Sequence, residues 1–196
     1  MKIHIKDTLT LFALAAGLSC TPSWAETAGA GKYEIDPAHT TVLFTVSHLG
    51  FSDLVGRFNT IEGNMVLDPH GNSRVEVEIR TASIDTNHDK RDDHLRSPDF
   101  FNAKLYPVIR FTSKKVSYNE KGEPVKVVGD LTLHGVTRQV TLDVTPVGAG
   151  KDPWGGYRAG YKAYTVIKRS DYGMNFMQGG IGDDIRIDLN IEAIRL

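Results

Sequence analysis

Polar and apolar residues alternate along most of this chain. In residues 42–48 the apolar face carries Val42, Phe44 and Val46, and a period of two is typical of a half-buried β-strand. The same period recurs in residues 61–67, 75–79, 109–112, 127–133, 139–145, 158–169 and 185–192. Clusters of glycine, proline, asparagine and aspartate separate these segments and mark turns. The pattern predicts roughly eight to ten short strands without helical crossovers.

Strands with one apolar face must bury it in a sandwich or close into a barrel. The long strands, the glycine-rich bends and a final strand as regular as the first favour closure. We therefore predict an all-β fold, a single antiparallel barrel of about eight strands. Phe58 is out of phase with Ile61, which predicts a bulge near Asn59 and Thr60. A barrel of this size is either filled by side chains or holds one small ligand.

One polar stretch, residues 83–101 (SIDTNHDKRDDHLRSPDFF), interrupts the alternation. It predicts a short helical insert near 86–103. Thr86 and Asp89 have the spacing of a capping box, and Asp92 and Arg96 are four residues apart, which allows an ion pair on a helix.

The end of this stretch carries a second helix signal and two aromatic residues. Ser97 followed by Pro98 is typical of a helix start. Phe100 and Phe101 are the apolar residues that we expect to anchor the insert against the barrel. The insert is therefore predicted to be structural more than catalytic.

The N-terminus has the features of an export signal. A short basic start precedes the apolar residues 9–18, and Ser23-Trp24-Ala25 fits a cleavage site. We predict a signal peptide over residues 1–25 with cleavage after Ala25, a flexible tail over 26–32 and a barrel domain over 33–196. Cys20 follows a small residue, but Gly17 stands where a lipoprotein signal usually has leucine, so we do not expect lipidation.

Charge and cysteine content exclude several functions. The full chain carries a formal net charge of -1, and loss of Lys2, Lys6 and Asp7 with the signal changes it to -2. A net charge so close to zero does not indicate a nucleic-acid-binding protein, which would carry an excess of basic residues. Cleavage after Ala25 would also remove Cys20, the single cysteine, and with it any thiolate nucleophile or disulfide.

Metal binding and catalysis are weaker hypotheses for the insert. His88, His94 and several aspartates are metal-ligand types, yet no HExxH or EF-hand spacing is present. The two histidines are six residues apart, which places them on different helix faces. Acid–base catalysis by His94 with an aspartate is an alternative, and no GxSxG nucleophile motif occurs.

Many short motifs follow one another along the chain. They are Tyr33-x-Ile35-Asp36, Ser47-His48-Leu49-Gly50-Phe51, Thr86-Asn87-His88 with Arg91, His94-Leu95-Arg96-Ser97, Asp99-Phe100, Tyr106-Pro107, Gly129-Asp130-Leu131-Thr132-Leu133-x-Gly135-Val136-Thr137, Asp152-Pro153-Trp154-Gly155-Gly156 and Arg158-Ala159-Gly160. Together, and in this order, they resemble the YceI-like family of periplasmic polyisoprenoid-binding proteins. The resemblance covers nearly the whole chain after the predicted signal. It implies a lipocalin-like barrel whose tunnel holds an isoprenoid, a quinone-like tail or another long amphiphile, and it implies no defined catalytic residues.

We therefore expect a periplasmic carrier or reservoir for such a lipid, without a cofactor or a metal. The candidate lining residues share the inward phase of their strands or lie in the methionine- and phenylalanine-rich segment 174–177. They are Val42, Phe44, Val46, His48, Phe58, Met65, Ile79, Phe111, Leu142, Tyr161, Ala163, Met174 and Phe176. His48 ends its strand where a barrel mouth would lie. We favour a structural role for it, and a hydrogen bond to a quinone carbonyl or a phosphate is the alternative.

Three functions remain open from the sequence. The first is the lipid carrier, the second an enzyme acting on such a lipid, and the third a secreted stress or interaction protein with a solid core. Pairing of edge strands near the barrel seam would also allow a homodimer.

Overall fold

The computed structural model describes residues 30–196. The predicted signal peptide lies outside the described residues, as does the predicted tail up to residue 29. The strands are β1 (Gly31–Ile35), β2 (Thr41–His48), β3 (Ser52–Phe58), β4 (Ile61–Leu67), β5 (Arg74–Arg80), β6 (Ile84–Asp85), β7 (Val108–Tyr118), β8 (Pro124–Leu133), β9 (Val136–Lys151), β10 (Tyr157–Lys168) and β11 (Asp184–Arg195). The α-helix α1 spans Asp89–Arg96, and 3-10 turns span Thr81–Ser83 and Arg169–Tyr172.

Eight strands form a closed antiparallel ring, which confirms the predicted fold class. Their order is β1-β4-β5-β7-β8-β9-β10-β11, and β1 then pairs with β11 to close the wall. In that pairing Tyr33 lies opposite Arg195, and Ile35 lies opposite Ala193. A closed ring leaves no unpaired strand edge along most of the wall.

The strands β2, β3 and β6 extend the wall at one end. β1 occupies one half of the free edge of β11, and β2 pairs with the other half, from Arg186 to Asn190. β3 then pairs with β2, and β6 with β3. The predicted bulge at Asn59 and Thr60 is wrong: the chain instead breaks into β3 and β4, and the Thr60 carbonyl accepts a hydrogen bond from the Arg80 amide.

The two ends of the barrel differ in their packing. At the end formed by β1 and β4, which we call the closed end, Tyr33, Met65 and Tyr161 are almost fully buried in one apolar cluster. A second cluster at the opposite end, near α1, includes Phe44, Phe58 and other inward side chains of β2 and β3. We call this second end the helix end, and the candidate site lies there.

The insert is a single short helix followed by turns, and its capping differs from the prediction. His88, not Thr86, is the N-cap, and its Nδ1 accepts a hydrogen bond from the Arg91 amide at 3.2 Å. Asp92 is buried and accepts hydrogen bonds from the amide and the hydroxyl of Thr86, so it does not pair with Arg96.

Arg96 reaches three other groups. Its guanidinium donates to Asp93 at 3.0 Å and to the carbonyls of Ala82 and Ile84, both at 2.8 Å. The predicted second helix at Ser97 and Pro98 is wrong. The Ser97 carbonyl instead accepts amide hydrogen bonds from turns that follow, because the chain must fold back there to reach β7.

Candidate functional site

An apolar cavity of about 340 Å³ begins at the helix end of the barrel and extends inward to Val75 and Phe111 of the closed-end cluster. Its walls are inner faces of the strands, among them β2, β5, β7, β9 and β11, and it extends to side chains of α1 and of the loop after β10. His48, His94 and Phe176 border it and are also exposed to solvent. The cavity is therefore open at the helix end, and we call this opening the mouth. Its volume is within the range of small-molecule sites.

The structure places ten of the thirteen predicted lining residues on this cavity. They are Val42, Phe44, Val46, His48, Phe58, Ile79, Phe111, Leu142, Met174 and Phe176. Met65, Tyr161 and Ala163 also face inward and are buried, but they do not border the cavity. Met65 and Tyr161 instead fill the closed end. They were predicted to line a cavity because periodicity shows which face of a strand points inward, but not whether the space in front of that face is filled.

Several lining residues were missed by the sequence prediction. Leu131, Leu133, Ile185 and Ile187 share the alternation of their strands, so the same pattern could have identified them. Charged residues also line the cavity, and no apolar period marks them.

Aromatic side chains of the insert form one side of the mouth. The Phe100 ring lies 5.0 Å from the His94 ring and 5.2 Å from the Phe176 ring, measured between centroids. Phe101 packs edge-on against Phe58 at 5.6 Å. The insert is thus held against the barrel by these phenylalanines, as predicted.

A buried arginine holds the loop on the other side of the mouth. Arg169 is 4% exposed and lines the cavity. Its guanidinium donates to the carbonyls of Gly182 (3.0 Å), Met174 (2.6 Å), Phe176 (2.8 Å) and Ile181 (3.2 Å). Burial lowers the pKa of Arg169, although nearby Asp183 opposes that shift. These hydrogen bonds fix the backbone that carries Met174 and Phe176.

A second arginine lies at the mouth on α1. Arg91 is half-buried and lines the cavity. Its Nε donates to the Thr86 hydroxyl at 2.7 Å, and one terminal nitrogen donates to the Thr86 carbonyl at 2.6 Å. Thr86 in turn donates its hydroxyl to Asp92, so it lies between the guanidinium and the buried carboxylate.

The two histidines of the insert make separate contacts. His94 Nε2 lies 2.9 Å from an Asp99 carboxylate oxygen at the exposed mouth. His88 caps the helix instead, so the structure does not bring both imidazoles to one point. His94 with Asp99 is the acid–base pair that the catalytic alternative would need.

Another cluster of metal-ligand types lies at the barrel seam. Ligand atoms of Asp36, His39 and Glu192 lie within 4.8 Å of one another. The Arg158 guanidinium, however, lies 2.5 Å from Asp36 and 2.6 Å from Glu192, and it also donates to Asp152 at 3.1 Å. The guanidinium contacts both carboxylates and so takes the place of a bound cation between them. We therefore interpret the cluster as an ion-pair network that joins β1, β10 and β11.

Among residues 30–196, no helix is both long and apolar enough to cross a membrane.

Sequence comparison matches residues 33–193 to a family model described as the YceI-like domain. A UPF0312 protein of Shewanella denitrificans is 42% identical over 170 residues, which cover 85% of this chain and 88% of that protein. A UPF0312 protein of Pseudomonas aeruginosa is 40% identical over 195 residues, which cover 97% and 99%.

Solved structures share the fold. A YceI protein of Campylobacter jejuni is 32% identical with a TM-score of 0.65, covering 76% of this chain and 90% of that one. BcnA of Burkholderia cenocepacia matches with a TM-score of 0.70 at 23% identity, covering 81% and 98%. A polyisoprenoid-binding domain of Saccharophagus degradans, implicated in plant cell wall breakdown, matches with a TM-score of 0.63 at 18% identity, covering 86% and 100%.

Proposed function

Because this chain belongs to the YceI-like family, we propose that it is a periplasmic protein that binds a long apolar amphiphile inside its barrel. The ligand is a polyisoprenoid or an isoprenoid-quinone-like lipid, and the protein acts as its carrier or reservoir. The observation that carries this proposal is the open apolar cavity at the helix end. A related fold is described as polyisoprenoid-binding in Saccharophagus degradans, which supports the choice of ligand.

The energetics of such binding are simple. Each methylene group moved from water into an apolar site contributes about 0.8 kcal/mol. A few isoprene units therefore suffice for tight binding if the cavity is preformed. Aromatic and methionine side chains such as Phe44, Phe111 and Met174 adapt to an irregular apolar chain.

The test is to identify what the exported protein carries. Native mass spectrometry and an organic extract of the purified protein should reveal a co-purifying polyprenyl compound. If the protein is recovered empty, calorimetric titration with geranylgeraniol should give saturable binding. An empty protein that also fails to bind geranylgeraniol would contradict the proposal.

A second candidate function is an enzyme that acts on the same lipid. The observation that favours it is the 2.9 Å contact between His94 and Asp99 at the mouth. We favour simple binding, because the family resemblance implies no catalytic residues. Incubation of the loaded protein should therefore return the lipid unchanged, in the wild type and in His94→Ala alike. Product formation that disappears in His94→Ala would instead establish an enzyme.

The third alternative was a protein whose barrel is a solid core. It does not fit a cavity of about 340 Å³ that reaches the mouth.

A further inference from the structure

The polar side chains that line the cavity include no carboxylate among the described residues. They are Ser47, His48, Arg91, His94, Thr165 and Arg169. The fully charged groups of the lining are therefore both cationic. An apolar tail in the cavity needs no charge, so these arginines either support the structure or face the polar end of the ligand.

Arg169 has a structural role that accounts for its charge. Four of its five N–H groups donate to backbone carbonyls, and the side chain is almost completely buried. Little donor capacity is left for a ligand, and the guanidinium is enclosed by carbonyl oxygens that would repel an anion.

Arg91 differs from Arg169 in its burial and in how many of its N–H groups are already used. Two of its five N–H groups donate to Thr86, and the other three have no hydrogen-bond partner within residues 30–196. No carboxylate of this region lies within ion-pair distance of it, whereas Arg96, five residues later, pairs with Asp93. The Thr86 hydroxyl lies between Arg91 and the buried Asp92 carboxylate, accepting from the guanidinium and donating to the carboxylate. Arg91 thus presents a half-buried guanidinium at the mouth whose hydrogen bonds, among the described residues, go to Thr86 alone.

We propose that Arg91 binds the head group of the ligand and selects one that carries an anionic oxygen, a phosphate or a carboxylate. This inference rests on the proposed function, since the apolar tail in the cavity is what brings the head group to the mouth. A guanidinium forms paired, charge-assisted hydrogen bonds with such oxygens, and these are stronger than bonds to neutral groups. A cationic head group is disfavoured at the same place by repulsion.

The test compares ligands that share one C20 tail and differ in the head group. Geranylgeranyl monophosphate, geranylgeranoic acid, geranylgeraniol and geranylgeranylamine are titrated separately into the full chain. We expect the phosphate or the acid to bind about tenfold or more tightly than the alcohol, and the amine more weakly than the alcohol. The tighter of the two anionic ligands identifies the source of the anionic oxygen.

The variant Arg91→Met retains an apolar stem and removes the charge. It should lose the preference for the anionic ligands over geranylgeraniol, so that the ratio of the two affinities falls to about one. The control Arg138→Met removes an equal charge from an exposed position that does not line the cavity, and it should keep the preference. A preference that survives Arg91→Met, or a wild type that does not prefer either anionic ligand over the alcohol, overturns the inference.

The outcomes separate this inference from the function on which it rests. If none of the C20 ligands binds the wild type, the lipid-binding proposal itself fails. If Arg91→Met does not fold, the wild type still decides the matter: its Arg91 Nε–H resonance in the NMR spectrum must shift on addition of the anionic ligand and not with the alcohol. An unchanged resonance would contradict head-group binding by Arg91.

Discussion

At the scale of single residues, folding lowers the pKa of the Asp36 carboxyl most clearly. Asp36 follows β1 at the barrel seam. Its carboxylate lies 2.5 Å from the Arg158 guanidinium and 2.8 Å from His39 Nδ1. Hydrogen bonds from Arg158, and then from His39, lower the pKa of Asp36 to about 2, against the opposing effect of burial. The charged form is therefore favoured in the folded state, and Asp36 stabilises the closed barrel.

We predict that the stability contributed by Asp36 is lost at acidic pH. A carboxyl whose pKa is lowered by folding contributes stability above its unfolded pKa, and this contribution is lost as the pH falls through the folded pKa. For Asp36 the window runs from about pH 4 down to about pH 2, and the contribution is about 2 kcal/mol. Urea unfolding should show that Asp36→Asn is less stable than the wild type at pH 7, and that the difference shrinks towards pH 2.

The control for this experiment is Asp53→Asn. Asp53 is exposed and makes no ion pair within the described residues, so its removal should leave the pH dependence of unfolding unchanged. Parallel curves for the wild type and Asp36→Asn between pH 4 and 2 would show that the seam network contributes no such stability.

Residue spacing predicted some contacts of the insert and missed others. Asp92 and Arg96 have the spacing of a helical ion pair, but Asp92 faces the barrel and accepts from Thr86. Spacing along a helix identifies neighbours on that helix, whereas the hydrogen bonds that make burial of a carboxylate tolerable come from outside it. For the same reason, no pattern in the sequence marked Arg91 and Arg169 as residues that line the cavity.

At the scale of elements, the insert depends on Phe100. The side chain is 7% exposed and packs against His94 and Phe176. We predict that Phe100→Ala lowers the free energy of unfolding by about 3 kcal/mol, through lost burial and the space left behind. Leu105→Ala, in the same segment but 64% exposed, should change it by less than about 0.5 kcal/mol. Equal values for the two variants in urea unfolding would mean that the insert is not anchored by Phe100.

The loop after β10 depends on Arg169 in a different way. Replacement by methionine leaves the carbonyls of Met174, Phe176, Ile181 and Gly182 without their buried donor. We predict a loss of about 3 kcal/mol in the free energy of unfolding. Amide hydrogen exchange at Ile181 and Gly182 should also become faster, because the loop loses its support.

A matched surface variant separates this effect from simple loss of charge. Arg110 forms an exposed ion pair with Glu78, so Arg110→Met should cost less than about 1 kcal/mol and should not alter exchange in the loop. Unchanged exchange at Ile181 in Arg169→Met would show that the loop holds its shape without the guanidinium.

Strands were predicted well because their signal is local. Alternation identified the long strands, and the closed ring follows from the need to bury one face of each. The division between β3 and β4 was not predicted, since a break and a bulge leave the same change of phase in the sequence.

At the scale of the whole molecule, the barrel is filled at one end and open at the other. Tyr33, Met65 and Tyr161 occupy the closed end, while the side chains that meet at the helix end leave the cavity between them. Alternation alone predicts inward faces at both ends. The volume left between the inward faces depends on how side chains from distant strands pack against each other. A local sequence pattern holds no information about that packing.

This division predicts that the cavity can be filled without unfolding the barrel. Val140 lines the cavity, and tryptophan at this position would project into it. We expect Val140→Trp to change the free energy of unfolding by no more than about 1 to 2 kcal/mol and to weaken geranylgeraniol binding about tenfold or more. Val166→Trp, at a position that is 53% exposed, should bind like the wild type. Normal binding by Val140→Trp would show that the ligand lies elsewhere.

Photolabelling can show whether an apolar chain lies inside the barrel. A geranylgeraniol analogue with a diazirine near the tail end is bound, irradiated and mapped by peptide mass spectrometry. We predict labels on inward side chains such as Phe44, Phe111 and Leu142, and loss of these labels when unlabelled geranylgeraniol competes. Labels confined to exposed residues such as Phe51 and Trp154 would contradict this prediction.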